Sequence, residues 1–184
     1  FACQMFGDMF MAGKSMDGVS ADLSNTYLLK AQDAYKKAFS MNANNFAAAF
    51  NAGISYYNQF SVLDDKVAEN IRALQSLNTS RPAPSKDPKK KLLEDAKFKA
   101  SIDSVKKLNV ALEQPILVKV DAAIEWIEKA YNNLKDKDKF TKPEKNVISR
   151  SVDFLATLYG FKRDKARGKD QKAYDDYDAK YNFY

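Results

Sequence analysis

Histidine is absent from the 184 residues, and cysteine occurs once, as Cys3. Without histidine the chain lacks the commonest general base near neutral pH and the commonest metal ligand. A single cysteine excludes an internal disulfide framework and a multi-cysteine zinc site, and without histidine no cysteine–histidine nucleophile pair can form. Cys3 stands in an apolar run with Phe1, Ala2, Met5 and Phe6 and reads as a small core residue. Gly (6) and Pro (5) are scarce. Sandwiches and barrels need many turns, so this scarcity points to few turns and long helices.

Other signals are missing too. No apolar run approaches the ~20 residues of a membrane span. There is no phosphate-binding glycine loop, no dinucleotide fingerprint and no nucleophile elbow. The adjacent carboxylates Asp64-Asp65, Glu94-Asp95 and Asp175-Asp176 would diverge on a helix, so they read as solvated faces or caps. Residues 136–140 alternate charge but lack the glycine and closing glutamate of a calcium loop. The expectation is therefore a non-enzyme with no catalytic residue, no metal and no cofactor. A groove with paired, buried carboxylates would favour the rival reading, a substrate-handling or enzymatic domain. The run "FACQMFGDMF" opens directly on an apolar stretch. This suggests that a segment upstream, including any export signal, has been removed.

What is present is helical periodicity. Helical stretches are expected at about 1–13, with Phe6 and Phe10 on one face, at 21–41, and from Phe46 to about Leu77. Further ones follow at 89–113, 117–135, 143–161 and 169–182, with Pro115 interrupting or kinking the path. In the region of 62–77, Val67, Ile71, Leu74 and Leu77 fall in register. In 89–113 the apolar positions are Leu92, Leu93, Ala96, Ile102, Val105, Leu108 and Leu112. "NTSRPAPSKDP" holds three prolines and is a loop. No stretch alternates with a two-residue period, so no sheet is expected.

Internal repeats carry the argument further. Ala31, Tyr35 and Ala38 share their spacing with Ala123, Ile127 and Ala130. The last helix gives Ala173 and Tyr177, then Lys180 where alanine would complete the set. Small residues flanking one bulky knob let a neighbouring helix approach closely at two points. A second set repeats as Cys3, Phe6, Gly7 and Phe10, then Ala49, Ala52, Gly53 and Tyr56, then Val152, Leu155, Ala156 and Tyr159.

This alternation resembles the tetratricopeptide repeat, most closely over residues 31–58, with "MNANN" at the inter-unit turn. "AIEWIEKAYNNL" resembles a second helix of that family, and is similar to those of exported repeat proteins of the Bacteroidetes type. The resemblance implies an all-α chain of stacked helical hairpins forming a superhelix. Its units are 1–43, 44–141 and 142–184, with a helical-hairpin insertion at about 62–116. The gaps of 24, 70 and 17 residues between matched first and second helices depart from the family's regular spacing of about 12.

The resemblance also implies a protein- or peptide-binding scaffold, of unstated oligomeric state, in an exported protein that is periplasmic, a lipoprotein or outer-membrane-associated. In such arrays the first helices line the groove. The candidate partner-binding residues are Gln4, Asp8 and Met11, then Phe50, Ile54, Tyr57 and Asn58, then Arg150, Asp153 and Thr157. Phe50 and Tyr57 either line that groove or pack against the insertion. Positive charge is concentrated between Asn78 and Lys119, where ten lysines and arginines face five carboxylates, five of the chain's six net charges. That stretch is either a solvated face or a contact for nucleic acid or an anionic surface. Scarce arginine and a single aromatic, Phe98, argue against nucleic acid.

Overall fold

The periodicity and turn signals become six helices among the described residues, with no strand. The computed structural model describes residues 2–184, with only the backbone at Ala21; Phe1, expected in the first helix, lies outside them. The helices are α1 (Ala2–Gly13), α2 (Ala21–Met41), α3 (Phe46–Thr79), α4 (Pro88–Leu134), α5 (Lys142–Ala166) and α6 (Gln171–Phe183). Their ends follow local chemistry. Ser20 and Asp170 accept the N–H groups of Leu23 and Ala173 at the starts of α2 and α6. At the turn after α2, Asn44 N–H donates to Asn42 and Ala48 N–H donates to Asn45. Gly168, at φ 71°, takes the left-handed conformation that lets the chain leave α5 for α6.

The chain divides into two compact units. One comprises the residues up to Asn58 together with Val120–Tyr184; the other is Gln59–Lys119. Helices α3 and α4 contribute to both.

The first unit is a stack of three helix pairs, α1–α2, α3–α4 and α5–α6. Within each pair, a glycine of the first helix lies under a large side chain of the second. A Cβ on Gly7 would collide with the Tyr35 ring, and one on Gly53 with Ile127 Cγ1; one on Gly160 would come within 3.3 Å of Tyr181. Ala31, Ala38, Ala123 and Ala130 are buried around these knobs, and Tyr35 and Ile127 are 1% and 0% exposed. Small residues here bring the helix axes close, so that bulky side chains fill the interior at native density. The third pair makes its contact one turn later on both helices than the expected Ala156 and Tyr177. Neighbouring pairs join first helix to first helix, through Gln4–Asn45 and Tyr57–Phe154. They also join second helix to second, through Phe39–Trp126 and Tyr131–Tyr184.

The second unit packs by a different rule. Phe60, Leu63, Val67, Asn70, Leu74 and Leu77 are its inward positions on α3. Asp95, Phe98, Ile102, Val105, Asn109, Leu112 and Ile116 are those on α4. Both sets step by three and four residues alternately, the seven-residue repeat of a coiled coil. Asn70 Nδ2 donates to Asn109 Oδ1 at 2.7 Å, which fixes the antiparallel register. Stepping outward from that pair places Leu74 opposite Val105, Leu77 opposite Ile102 and Arg81 opposite Phe98. The Arg81 guanidinium does lie 4.4 Å from the Phe98 ring centroid. Beside it Arg81 pairs with Asp95, and Ser85 N–H donates to Glu94, so the proline loop is tied to α4.

Several expectations are corrected. Helix α4 runs unbroken through Pro115. Proline removes the N–H that would bond to the carbonyl of Ala111, but both residues are exposed, so water can reach that face. Ile71, Leu92, Leu93, Ala96 and Leu108 are exposed rather than inward, because the seven-residue seam selects the positions beside them. Phe6 is 55% exposed and Met5 and Met9 are similar; Tyr35 packs instead over the neighbouring Gly7, and only Phe10 of the expected face joins that cluster. Cys3 is half-buried, with Sγ 3.9 Å from Met41 Sδ.

Candidate functional site

The expected groove residues fall into two groups on the first helices. Gln4 accepts a hydrogen bond from Asn45 Nδ2 at 3.1 Å. The exposed Asp8 accepts from Tyr35 Oη at 2.8 Å and from Asn51 Nδ2 at 3.4 Å. Met11 packs on the Ala31–Tyr35–Ala52 cluster and lies 4.0 Å from Ser55 Oγ. This group therefore forms the seam between α1 and α3. Burial, and then the Asp8 carboxylate, push the Tyr35 hydroxyl far above its usual range, so it remains a donor.

The second group gathers around Phe154, which adjoins the expected Asp153 and has no counterpart in the expected set. Tyr57 meets the Phe154 ring edge-on at 4.7 Å, and Phe50 approaches it at 6.2 Å. Arg150 lies over both, 5.0 Å from the Phe50 centroid and 5.7 Å from that of Phe154. Phe50 is only 3% exposed. It is a buried floor under α5 rather than an open contact, and Ile54 packs on the same cluster. Asn58 is half-buried. Arg150, Asp153 and Thr157 are exposed, with Thr157 Oγ1 donating to the Asp153 carbonyl at 2.8 Å.

A second feature was not anticipated. Ile124, Tyr159, Lys162, Tyr177, Lys180 and Phe183, from α4, α5 and α6, line a pocket of about 610 Å³ together with Asp176 and Ala179. Behind it, Glu128 Oε1 accepts hydrogen bonds from Tyr159 Oη at 2.8 Å and Tyr184 Oη at 3.1 Å, with Lys180 Nζ 3.6 Å away. Burial first, and Glu128 second, raise the Tyr159 hydroxyl well above its ordinary value, and Tyr184 follows for the same causes. Lys162 pairs with Asp121 and sits 4.5 Å from the Tyr177 ring centroid. Burial works to lower its pKa, but the bonds to Asp121 and Tyr177 outweigh it and the net shift is upward. The pocket thus combines apolar and aromatic walls with two lysines, each paired with a carboxylate, and with Asp176. The sequence signal was the density of tyrosine over 174–184, which carries no motif.

The third feature lies in the second unit. Lys89, Lys90 and Lys91 occupy the first turn of α4, which holds no acidic residue. A cation there opposes the helix dipole, by about 0.3–1 kcal/mol each at a surface. All three are exposed, as are Lys86, Leu92 and Leu93.

Among the described residues, no group of three or more cysteines and carboxylates is close enough to hold a metal, and no helix is long and apolar enough to cross a membrane. Comparison with protein-family models, curated proteins and solved structures gives no match to this chain.

Proposed function

We propose that the chain is a non-catalytic module of the tetratricopeptide-like kind that binds a protein or peptide partner. The observation that carries this reading is the pocket between α4, α5 and α6. Its Tyr159, Tyr177, Phe183 and Ile124 walls offer apolar area at low side-chain entropy cost, and Lys162 and Lys180 offer directional polar contacts at the rim. A concave site of this size accepts one large side chain of an extended or helical segment and leaves the flanking backbone on the rim. The stacked pairs support the reading by holding the three helices in fixed relation through Gly160–Tyr181 and the Glu128 bonds.

Selection of displayed random peptides against the whole chain tests this. Peptides that enrich are expected to bind with about tenfold lower affinity to Tyr177→Ala and to Phe183→Ser, measured by fluorescence anisotropy. Equal affinity for both variants and the parent would overturn the pocket as the site. A second reading keeps the groove of the first helices, because Arg150, Asp153 and Thr157 are exposed and Arg150 lies over the Phe50 and Phe154 rings. Under that reading Arg150→Ala weakens the same peptides and the pocket variants do not.

A further inference from the structure

We propose that the loop end of the Gln59–Lys119 unit, from Lys86 to Leu93, docks on the anionic headgroups of a lipid surface, with Leu92 and Leu93 entering the interface. The argument begins with how the carboxylates nearby are used. Asp87 accepts the backbone N–H of Lys89 at 2.9 Å, Glu94 accepts that of Ser85 at 3.1 Å, and Asp95 is paired with Arg81. All three are committed to folding the loop. Lys86, Lys89, Lys90 and Lys91 are left exposed, with no ion pair among the described residues.

Nothing in the unit's own packing calls for these lysines. Three of them crowd the positive end of a helix, where carboxylates would serve the fold better. Two leucines follow at once, 73% and 57% exposed, although the seven-residue seam has no use for them. A fold that places four unpaired lysines, in excess over Asp87, and bare leucines in one short segment, against its own local preference, fits a partner that is anionic and apolar in adjacent layers. An anionic bilayer has that layering, and neither component alone suffices for stable attachment. Nucleic acid fits less well. The segment itself holds no arginine, the nearby Arg81 is spent on Asp95, and the Phe98 ring is covered by that same guanidinium, so no base-stacking platform is open.

Flotation of the full chain with vesicles tests the assignment. Vesicles of phosphatidylcholine and phosphatidylserine at about 3:1 are expected to carry the protein, and pure phosphatidylcholine vesicles are not. The triple variant K89E/K90E/K91E should lower the partition coefficient about tenfold or more. L92S/L93S should lower it severalfold and leave the remainder more sensitive to salt. Unchanged helical circular dichroism in both variants excludes unfolding; the glutamates, if anything, favour the α4 terminus. Equal flotation on both vesicle types, none on either, or a triple variant that floats like the parent would overturn the proposal. So would tighter binding of a single-stranded RNA oligonucleotide than of the anionic vesicles.

Discussion

The two units reach helical packing by opposite means. In the stacked pairs, glycine and alanine bring helices together until Tyr35, Ile127, Leu155 and Leu158 are at most 1% exposed. In the Gln59–Lys119 unit the contact is a line of medium-sized side chains, most of them half-buried, because two helices alone cannot enclose a core. A layered stack is thus stiff and intolerant of added volume at its close contacts. A two-helix seam tolerates change everywhere except along one stripe, and the Asn70–Asn109 pair within that stripe sets its register.

The sharpest way to break this contrast is to add volume. Gly53→Val places a branched side chain against Ile127 and the backbone around Ala123, and is expected to cost about 3 kcal/mol or more. Ala96→Val adds two methyl groups to an exposed position of α4 and should stay within about 0.5 kcal/mol. Urea denaturation of both variants checks the pair; similar costs would mean that the stack is not close-packed at Gly53.

Next in size is the polar pair of the seam. Replacing Asn70 alone by alanine leaves Asn109 without its 2.7 Å partner and should cost about 1 kcal/mol. Replacing both by leucine should instead stabilise the unit by about 1 kcal/mol while loosening its register. Thermal denaturation reads the first effect. Broadened amide resonances over 60–79 and 95–116 read the second.

Extremes of pH should divide the units again. Every tyrosine lies outside 59–119, and Tyr35, Tyr159 and Tyr184 are all shifted above the ordinary value of 10.0. A raised value means that the folded state favours the neutral phenol. The stabilisation is intact below pH 10 and falls away as the pH rises above it. On the acid side, the bonds from Lys137 and from the Thr141 backbone and hydroxyl hold Glu144 at about 2, against 4.5. That contribution is complete above pH 4.5 and is lost as the pH falls toward 2. Residue-resolved hydrogen exchange should therefore show the stacked pairs loosening at both extremes. Glu144→Gln should flatten the acid limb, and a limb unchanged by that substitution would remove Glu144 as its cause.

The sequence disclosed most of the helices, since their caps and periodicity are local. It also disclosed the small residues of the stack, since Gly53, Ala123 and Ala130 recur at fixed spacing and lie buried. It did not disclose which of two apolar stripes on α4 would face inward. Leu92, Leu93 and Leu108 are as hydrophobic as Ile102 and Leu112, and only the partner's register decides among them. Nor could it show that Gln4, Asp8 and Met11 would make contacts within the stacked pairs. Position relative to a packing residue gives direction, not what stands there. The pocket at Tyr159 and Tyr177 was hidden for a related reason: its walls come from three helices and share no spacing.

The smallest expected effect concerns a group that neither rule explains. Ser151 is fully buried in α5, and its Oγ has no hydrogen-bond partner among the described residues. A buried hydroxyl without a partner costs desolvation that nothing returns. Alanine would remove that cost, favour the helix slightly and leave a void of only one oxygen atom. Ser151→Ala is therefore expected to stabilise the stacked pairs by about 0.5–1 kcal/mol, seen as a higher urea midpoint with an unchanged slope. A loss of stability of the same size would mean that the hydroxyl does find an acceptor in solution, most simply the Val147 carbonyl one turn back on its own helix.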